Sequence, residues 1–146
     1  METLEHVWET SRYNLWAWVY YGVTWAGVAG LIASSRITDD YRRWFRRLLV
    51  IGTTTFFALF ASEARIQEKW RIRIDWAMTH QDLMTKDDWR AVNGDGANMM
   101  AGPLFEASLS FLLLVTVCIV WPMGSWVIAK IRKSPAPKSG VLPQRR

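Results

Sequence analysis

Two long uncharged runs constrain this chain more than any other feature of its sequence. Residues 13–35 (YNLWAWVYYGVTWAGVAGLIASS) and residues 107–129 each extend for 23 residues without a charged side chain. Because a helix rises about 1.5 Å per residue, either run is long enough to cross a hydrocarbon core of about 30 Å. Water-soluble domains rarely carry two such runs in so short a chain. We therefore predict an all-α integral membrane protein.

A third and shorter apolar segment completes the set of predicted transmembrane helices. Residues 48–62 number only 15, but arginine side chains that reach the interface extend this segment to a crossing length. A re-entrant or interfacial segment is the alternative for this stretch. The Gly102-Pro103 pair suits the start of the last helix, and Pro122 predicts a kink or an early end near residue 121. The three predicted spans cover about 13–34, 46–64 and 103–129.

Composition agrees with this interpretation once the chain is divided into segments. The mean hydropathy of +0.01 averages strongly apolar spans with highly charged connections. The ten tryptophans suit a membrane protein, because an amphipathic ring is stable where apolar and polar layers meet. A tryptophan-rich soluble core is the alternative. The net charge of +5 does not indicate nucleic-acid binding, since the basic residues lie beside the apolar spans.

The segment 65–102 predicts a helical hairpin between spans 2 and 3. No proline or glycine occurs from residue 53 to residue 92, and apolar residues recur at helical spacing from 66 to 78. We expect span 2 to continue as a helix to about residue 80. Thr85 then resembles an N-cap, with an acid three residues later, for a short helix over about 86–92. The Asn93-Gly94 pair should end this helix and open a turn that extends to Asn98.

The distribution of Lys and Arg predicts the orientation. The connection 36–47 has five arginines and the tail 130–146 has six Lys or Arg, whereas residues 1–12 have one. Basic segments mark the cytoplasmic side, which places the N-terminus outside, the hairpin in an extracytoplasmic position and the C-terminus in the cytoplasm. We expect a plasma or inner membrane, a single helical membrane domain over 1–129 and a disordered basic cytoplasmic tail. The basic residues between Arg65 and Arg73, close to the end of span 2, are an exception to this pattern.

Span 1 carries small residues at every fourth position. Gly22, Ala26, Gly30 and Ser34 form a stripe that lets helix backbones approach closely. We predict that this stripe is a helix-packing face, either within the chain or toward another chain. A general abundance of Gly and Ala in membrane helices is the alternative.

Glu106 is the acid in the first turn of span 3 and our candidate ion or polar site. An ionisable group at membrane depth is a functional candidate by default, through cation binding or through pairing with Arg65 or Arg73. The alternative is a structural one, because an acid in the first turn of a helix is favoured by the helix dipole.

His80 is a weak candidate ligand. Asp82, Asp87 and Asp88 lie near it, but no second His or Cys stands at metal-ligand spacing, so we predict no metal site. Haem ligation by His6 and His80 is conceivable, although neither lies in a span. Our prediction includes no bound cofactor, and the sequence offers no catalytic constellation of an enzyme.

These observations together predict a small structural or accessory subunit of a larger membrane complex. Its partners would be the lipid bilayer and other membrane subunits, or further copies of itself, without nucleic acid. The first alternative is a homo-oligomeric channel or transporter with Glu106 and the Thr53-Thr54-Thr55 run on its path. The second is a membrane enzyme or redox carrier with haem or quinone against the tryptophans.

Overall fold

The computed structural model describes residues 4–133, and no strand occurs in this range. The all-α prediction is thereby confirmed. Helices α2, α3 and α5 are long and apolar enough to cross a membrane, which indicates a membrane-embedded protein. The helices are α1 (Leu4–Arg12), α2 (Leu15–Ser34), α3 (Asp40–Thr79), α4 (Lys86–Ala97) and α5 (Gly102–Lys133), with a 3₁₀ turn at Gln81–Leu83.

Helix α2 begins directly after Asn14, which is its N-cap and separates it from α1. The Asn14 side chain accepts a hydrogen bond from the Ala17 backbone N–H at 3.0 Å, which satisfies one of the free donors at the helix start. The amide of the same side chain donates to the carbonyl oxygen of Arg65 at 2.9 Å. The start of α2 is therefore fastened to the middle of α3.

Helix α3 is a single 40-residue helix about 60 Å long, and it confirms the prediction that span 2 continues as a helix to about residue 80. Asp39 caps its start by accepting from the Arg42 backbone N–H. Most of the predicted connection 36–47 is therefore helical. Because α3 is longer than the apolar segment, its last third carries charged residues that contact α1, α4 and α5.

Helix α4 confirms one predicted boundary and corrects the other. Thr85 is the N-cap and forms a capping box with Asp88. The predicted end at Asn93-Gly94 is wrong, because the helix continues to Ala97. Asp95 accepts from Lys69 and Arg73 of α3, and these interhelical contacts hold a Gly- and Asn-rich sequence in helical form.

Helix α5 continues through Pro122, so the predicted early end near residue 121 is wrong. A proline removes one backbone donor, but membrane helices tolerate this when nearby groups satisfy the backbone. The carbonyl oxygen that loses its donor is that of Cys118, four residues earlier on α5. The helix ends at Lys133, four residues into the predicted tail 130–146, and the rest of that tail lies outside the described residues.

Two small clusters form the apolar core. Tyr20 of α2 packs on Ala58 and Ala61 of α3. Farther along the bundle, Val28 and Leu31 of α2 pack on Leu114 of α5, which is fully buried. Most of the large apolar side chains beyond these clusters face outward, as expected for helices surrounded by lipid.

Helix α1 was not expected to take part in the core, but it packs on the last third of α3. Val7 and Ser11 are buried there. Arg73 of α3 donates to the Ser11 hydroxyl at 2.9 Å and to the Trp8 carbonyl oxygen at 3.0 Å. We use the name polar cap for α1, residues 65–79 of α3 and α4 together.

Candidate functional site

Glu106 lies between α5 and α3, where two side chains of α3 meet its carboxylate. Arg65 donates to Oε1 at 3.0 Å, and the Ser62 hydroxyl donates to Oε2 at 2.5 Å. Ser62 and Arg65 are three residues apart and so lie on the same face of α3. Of the two arginines considered as partners, Arg65 is the one in contact, and it neutralises the charge of Glu106.

A chain of hydroxyl groups leads from Glu106 into the bundle. The Tyr20 hydroxyl donates to the Glu106 carbonyl oxygen and accepts from Ser110, both at 2.8 Å. Ser110 also lies 3.0 Å from the hydroxyl of Thr24. Because 20 and 24, and likewise 106 and 110, are one helical turn apart, the chain crosses the α2–α5 interface three times. We call Glu106, Arg65, Ser62, Tyr20, Ser110 and Thr24 the polar chain.

The polar chain stops at an apolar layer. Immediately beyond Thr24, the buried side chains Val28, Leu31 and Leu114 fill the space between α2 and α5. None of these side chains can accept or pass a proton or hold an ion. Within the part of the bundle that the structure describes, the polar chain therefore connects three helices but does not continue across the apolar layer.

The Thr53-Thr54-Thr55 run does not form one polar surface. The Thr53 hydroxyl faces outward and donates to the Leu49 carbonyl oxygen, whereas Thr54 is buried against Gly27. The Thr55 hydroxyl oxygen is buried and makes no hydrogen bond to any described residue. Consecutive residues of a helix point about 100° apart, which is why these three side chains separate.

A second charged cluster joins α3 to α4 inside the polar cap. Asp95 accepts from Lys69 at 2.6 Å and pairs with Arg73, whose side chain is only 5% exposed. The Arg73 guanidinium also lies 4.7 Å from the ring centre of Trp8. Our sequence analysis missed this cluster, because Asp95 stands in a sequence typical of turns. The available signal was Arg73 itself, seven residues after Ile66 on the apolar stripe of α3.

The predicted small-residue stripe divides between two environments. Gly22 has no described atom within 4 Å of where a Cβ would lie, and Ala26 is exposed. Gly30 faces Val50 of α3 at 3.3 Å, and Ser34 is buried and accepts from Arg47 at 3.3 Å. Only the later half of the stripe therefore packs inside this chain.

The closest approach of α2 to α3 occurs at a residue that the stripe does not include. A Cβ added to Gly27 would lie 2.6 Å from the side chain of Thr54. A stripe with a four-residue period rotates around a helix by about 40° per step, since a turn takes about 3.6 residues. Over the three steps from Gly22 to Ser34 it turns by about 120°, so its two ends face different neighbours.

The middle of the stripe borders a groove between α2 and α3. The groove has a volume of about 320 Å³, and Ala26 and Gly30 form its floor on α2. Val50, Thr53 and Phe57 form its wall on α3. We call this the α2–α3 groove.

His80 ends α3 in a local arrangement. Its ring stacks on Trp76 with 4.5 Å between ring centres, and Nδ1 lies 3.0 Å from the Trp76 carbonyl oxygen. No group of three or more possible metal ligands occurs within residues 4–133. Asp88, one of the nearby acids, is engaged by the Thr85 hydroxyl at 2.6 Å and by the Thr85 backbone N–H at 2.9 Å. These hydrogen bonds lower the pKa of the Asp88 carboxyl.

Comparisons of this chain with models of protein families, with curated proteins and with solved structures find no match. Arguments about function therefore rest on the geometry of the chain itself.

Proposed function

We propose that this protein is a small structural or accessory subunit of a larger membrane complex. It would cross a plasma or inner membrane three times, with its N-terminus outside and its C-terminus in the cytoplasm. In this orientation the segment 65–102, with the last part of α3 and with α4, forms an extracytoplasmic helical hairpin. The observation that carries the proposal is the α2–α3 groove, which presents small residues to the surroundings of the bundle.

The shape of the groove suits a helix of another membrane subunit. Small side chains at Gly22 and Ala26 permit close backbone approach, and helices in lipid associate chiefly through such packing. Phe57 forms part of the wall and is more than half exposed, so a partner helix would bury aromatic surface as well. A second opening of about 260 Å³ continues from Gly30 to Leu49 and lengthens the surface along both helices.

The internal polar groups also support a structural role, because they are paired with one another inside the bundle. Glu106 and Asp95 are both paired with cations of α3, and the hydroxyl chain from Tyr20 to Thr24 is hydrogen bonded within the bundle. Groups that hold helices together in this way leave few free positions for a substrate. Among the described residues, the α2–α3 groove is therefore the surface that is open to a partner.

Substitutions in the groove test this function. Ala26→Leu in the groove and Gly22→Leu one helical turn before it place a large side chain where a partner helix would approach. No described atom lies within 4 Å of the Cβ position of Gly22, so that substitution meets no close neighbour in this chain. We expect membrane insertion to be unchanged and co-purifying polypeptides to be lost. Gly52→Leu is the matched control, because Gly52 is also exposed and has no described atom within 4 Å of its Cβ position. Unchanged co-purification in the Ala26 and Gly22 variants, measured after mild detergent extraction, would overturn the proposal.

The alternative is a homo-oligomeric channel or transporter with Glu106 on its path. The hydroxyl groups from Tyr20 to Thr24, which begin at the backbone carbonyl oxygen of Glu106, favour it, and the apolar layer at Leu114 opposes it. Native mass of the extracted complex separates the two functions. A closed oligomer of this chain alone, with ion or solute flux in liposomes that Glu106→Gln changes, would support the channel and exclude the subunit role.

A further inference from the structure

Helix α3 buries two arginines, and their surroundings differ. Arg73 gives all three guanidinium nitrogens to acceptors of this chain, among them the carboxylate of Asp95. Arg47, at the other end of the apolar part of α3, is only 7% exposed. Its Nε donates to the Ser34 hydroxyl at 3.3 Å, but within residues 4–133 its two terminal nitrogens donate to no acceptor and no acid pairs with it.

The contacts of Arg47 compensate only part of its charge. Burying a charge is unfavourable unless an opposite charge and hydrogen-bond partners replace the water that it loses. Ser34 is neutral, and its own hydroxyl already donates to the Leu31 carbonyl oxygen at 2.6 Å. Ser34 is the last residue of α2, where the helix dipole supplies a partial negative charge of about half an elementary charge. The site therefore suits an anion from outside the chain.

A second arginine without an acid reaches the same place. Arg46 lines the opening of about 260 Å³ that Ser34 also lines. No ion pair among the described residues involves Arg46, and the two acids at the start of α3 are already paired with other arginines of that helix. Arg46 is exposed, whereas Arg47 is buried and hydrogen bonded to Ser34. Two guanidinium groups thus lie near one hydroxyl without a counter-charge.

The position of Arg47 along the bundle matches the level of lipid headgroups. Val50 and Ile51, one helical turn farther along α3, pack on the apolar layer that contains Leu114. On its other side, the Cζ atom of Arg47 lies 5.6 Å from the ring centre of Trp44, which is exposed. Tryptophan is enriched where the apolar core of a membrane meets the headgroups. Phosphate groups are the anions that lipids present at this level.

We propose that Arg47 and Arg46 bind a phosphate group beside Ser34. A guanidinium presents parallel N–H groups in a planar fork that matches two phosphate oxygens, and the terminal nitrogens of Arg47 supply such donors. Arg46 adds a second cation from the exposed side. The phosphate belongs either to a lipid headgroup or to a free inorganic ion, and binding measurements separate these sources. The proposal goes beyond the accessory-subunit role and needs no protein partner.

Native mass spectrometry of the delipidated full chain in an uncharged detergent tests the proposal. Dioleoyl phosphatidylglycerol and dioleoylglycerol have the same acyl chains, but only the first carries a phosphate. We expect one phosphatidylglycerol to be retained about tenfold more tightly than dioleoylglycerol, because hydrogen bonds to charged groups are strong. This comparison uses the wild-type chain alone and needs no variant.

Inorganic phosphate, compared with chloride at equal ionic strength, identifies the source of the phosphate group. If the free ion is the ligand, phosphate at about ten times its dissociation constant should raise the thermal midpoint by about 3–6 °C and displace phosphatidylglycerol. If the headgroup is the ligand, phosphatidylglycerol should stay bound in the presence of inorganic phosphate. Either result supports a phosphate site.

Matched arginine substitutions locate the site. Arg47→Gln should weaken phosphatidylglycerol or phosphate binding by about tenfold or more, and Arg46→Gln by about fivefold. Arg42→Gln removes the same charge from the same helix, but Asp39 already pairs with Arg42, so binding should change by less than about twofold. Circular dichroism and monodisperse elution check the fold of each variant. If Arg47→Gln does not fold, the comparison of Arg46→Gln with Arg42→Gln decides the same question.

Three results would overturn the proposal. The first is equal retention of phosphatidylglycerol and dioleoylglycerol together with no effect of inorganic phosphate. The second is equal weakening by Arg47→Gln and Arg42→Gln, which would indicate a diffuse positive surface. The third is loss of a co-purifying polypeptide from Arg47→Gln without any phosphate binding by the wild type, which would assign Arg47 to an acid of a partner subunit. Failure of the accessory-subunit role, tested at Gly22 and Ala26, would leave a measured phosphate site standing.

Discussion

The polar cap and the basic end, by which we mean the end of α2, the start of α3 and the end of α5, both carry many arginines, but these arginines make different contacts. In the polar cap, Arg73 and Lys69 pair with Asp95 of another helix, and nearby Arg65 pairs with Glu106 of a third. At the basic end, the ion pairs that the structure describes join residues three apart in one helix, such as Arg42 with Asp39. The first kind of pair joins two helices, whereas the second stays within one helix. At the basic end α3 is joined to α2 by a hydrogen bond from Arg47 to Ser34 and not by an ion pair.

This difference explains the exception in the charge pattern of the sequence. Arg65, Lys69 and Arg73 looked like an orientation signal on the wrong side of span 2. Each of them is neutralised by an acid that lies far away in the chain. The unpaired cations of the basic end are the ones that a positive-inside argument should count, and they include Arg36, Arg46 and Lys130.

We expect the largest loss of stability when Arg73 is replaced. Its side chain is 5% exposed and donates to Ser11, to the Trp8 carbonyl oxygen and to Asp95. Arg73→Met keeps much of the volume but leaves these acceptors without their donor. We expect a loss of about 3–5 kcal/mol in the free energy of unfolding, measured in detergent, and faster proteolysis near α1.

The matched control for Arg73 is Arg42 at the basic end. Its guanidinium is largely exposed and pairs only with Asp39, three residues before it. Arg42→Met should cost no more than about 0.5 kcal/mol, as for other exposed pairs on a helix. Equal destabilisation by the two substitutions would refute the distinction between the two ends.

A second test concerns the apolar contact that lies between the two ends. Gly27→Leu forces a side chain into Thr54, which lies 2.6 Å from the added Cβ, and we expect it to destabilise the bundle by about 1–3 kcal/mol. Gly22→Leu on the open part of the stripe should leave the thermal midpoint of the isolated chain unchanged or slightly raised, because Leu favours a helix more than Gly does. A lowered midpoint for Gly22→Leu would show that this position packs inside the chain.

A third test removes the carboxylate that joins α5 to α3. Glu106→Leu deprives Arg65 and Ser62 of their acceptor, and we expect a loss of about 1–2 kcal/mol in the free energy of unfolding. Part of the loss is offset because the Arg65 guanidinium also lies 5.9 Å from the ring centre of Tyr21. Glu106→Gln should cost less, since the amide oxygen still accepts. Wild-type stability in both variants would mean that this pair does not hold the helices together.

How much of this molecule was predictable depends on the range of the interactions involved. Hydropathy and helical spacing are local properties, and they predicted the membrane helices, the long extension of α3 and the Thr85 cap. The end of α4 was not predictable, because Asn93-Gly94 favours a turn locally and the contacts that overrule it come from Lys69 and Arg73. The packing of α1 was not predictable either, because its contacts also come from Arg73, far away in the chain.

The candidate site also has features that the local sequence predicts and features that depend on tertiary packing. A lone acid near the start of an apolar helix identified Glu106 as a residue to examine; the helix begins at Gly102, so Glu106 lies in its second turn. The hydroxyl groups that continue from its backbone carbonyl oxygen, those of Tyr20, Ser110 and Thr24, are unremarkable in sequence and meet only because α2 and α5 pack side by side. The stripe was identified from its period, but the period alone does not say that Gly27, not Gly22, touches α3.

Apart from the controls, the smallest predicted effect is at the N-cap Thr85, whose contacts lie inside the polar cap but are local in sequence. Thr85→Ala removes the N-cap of α4, and we expect a loss of about 1 kcal/mol in local helix stability, visible as faster amide exchange over residues 86–89.

The partner acid of this N-cap, Asp88, adds a pH dependence. Hydrogen bonds from Thr85 lower the pKa of Asp88 below its value in an unfolded chain, about 3.9, so its contribution is present above that pH and is lost as the pH falls through the lowered pKa. Amide exchange in α4 should therefore accelerate on acidification in the wild type and less so in Asp88→Asn. Thr85→Ala should not loosen α1. If it loosened α1 as much as Arg73→Met does, local contacts would stabilise the polar cap as strongly as its interhelical ion pairs, and the contrast between the two ends would fail.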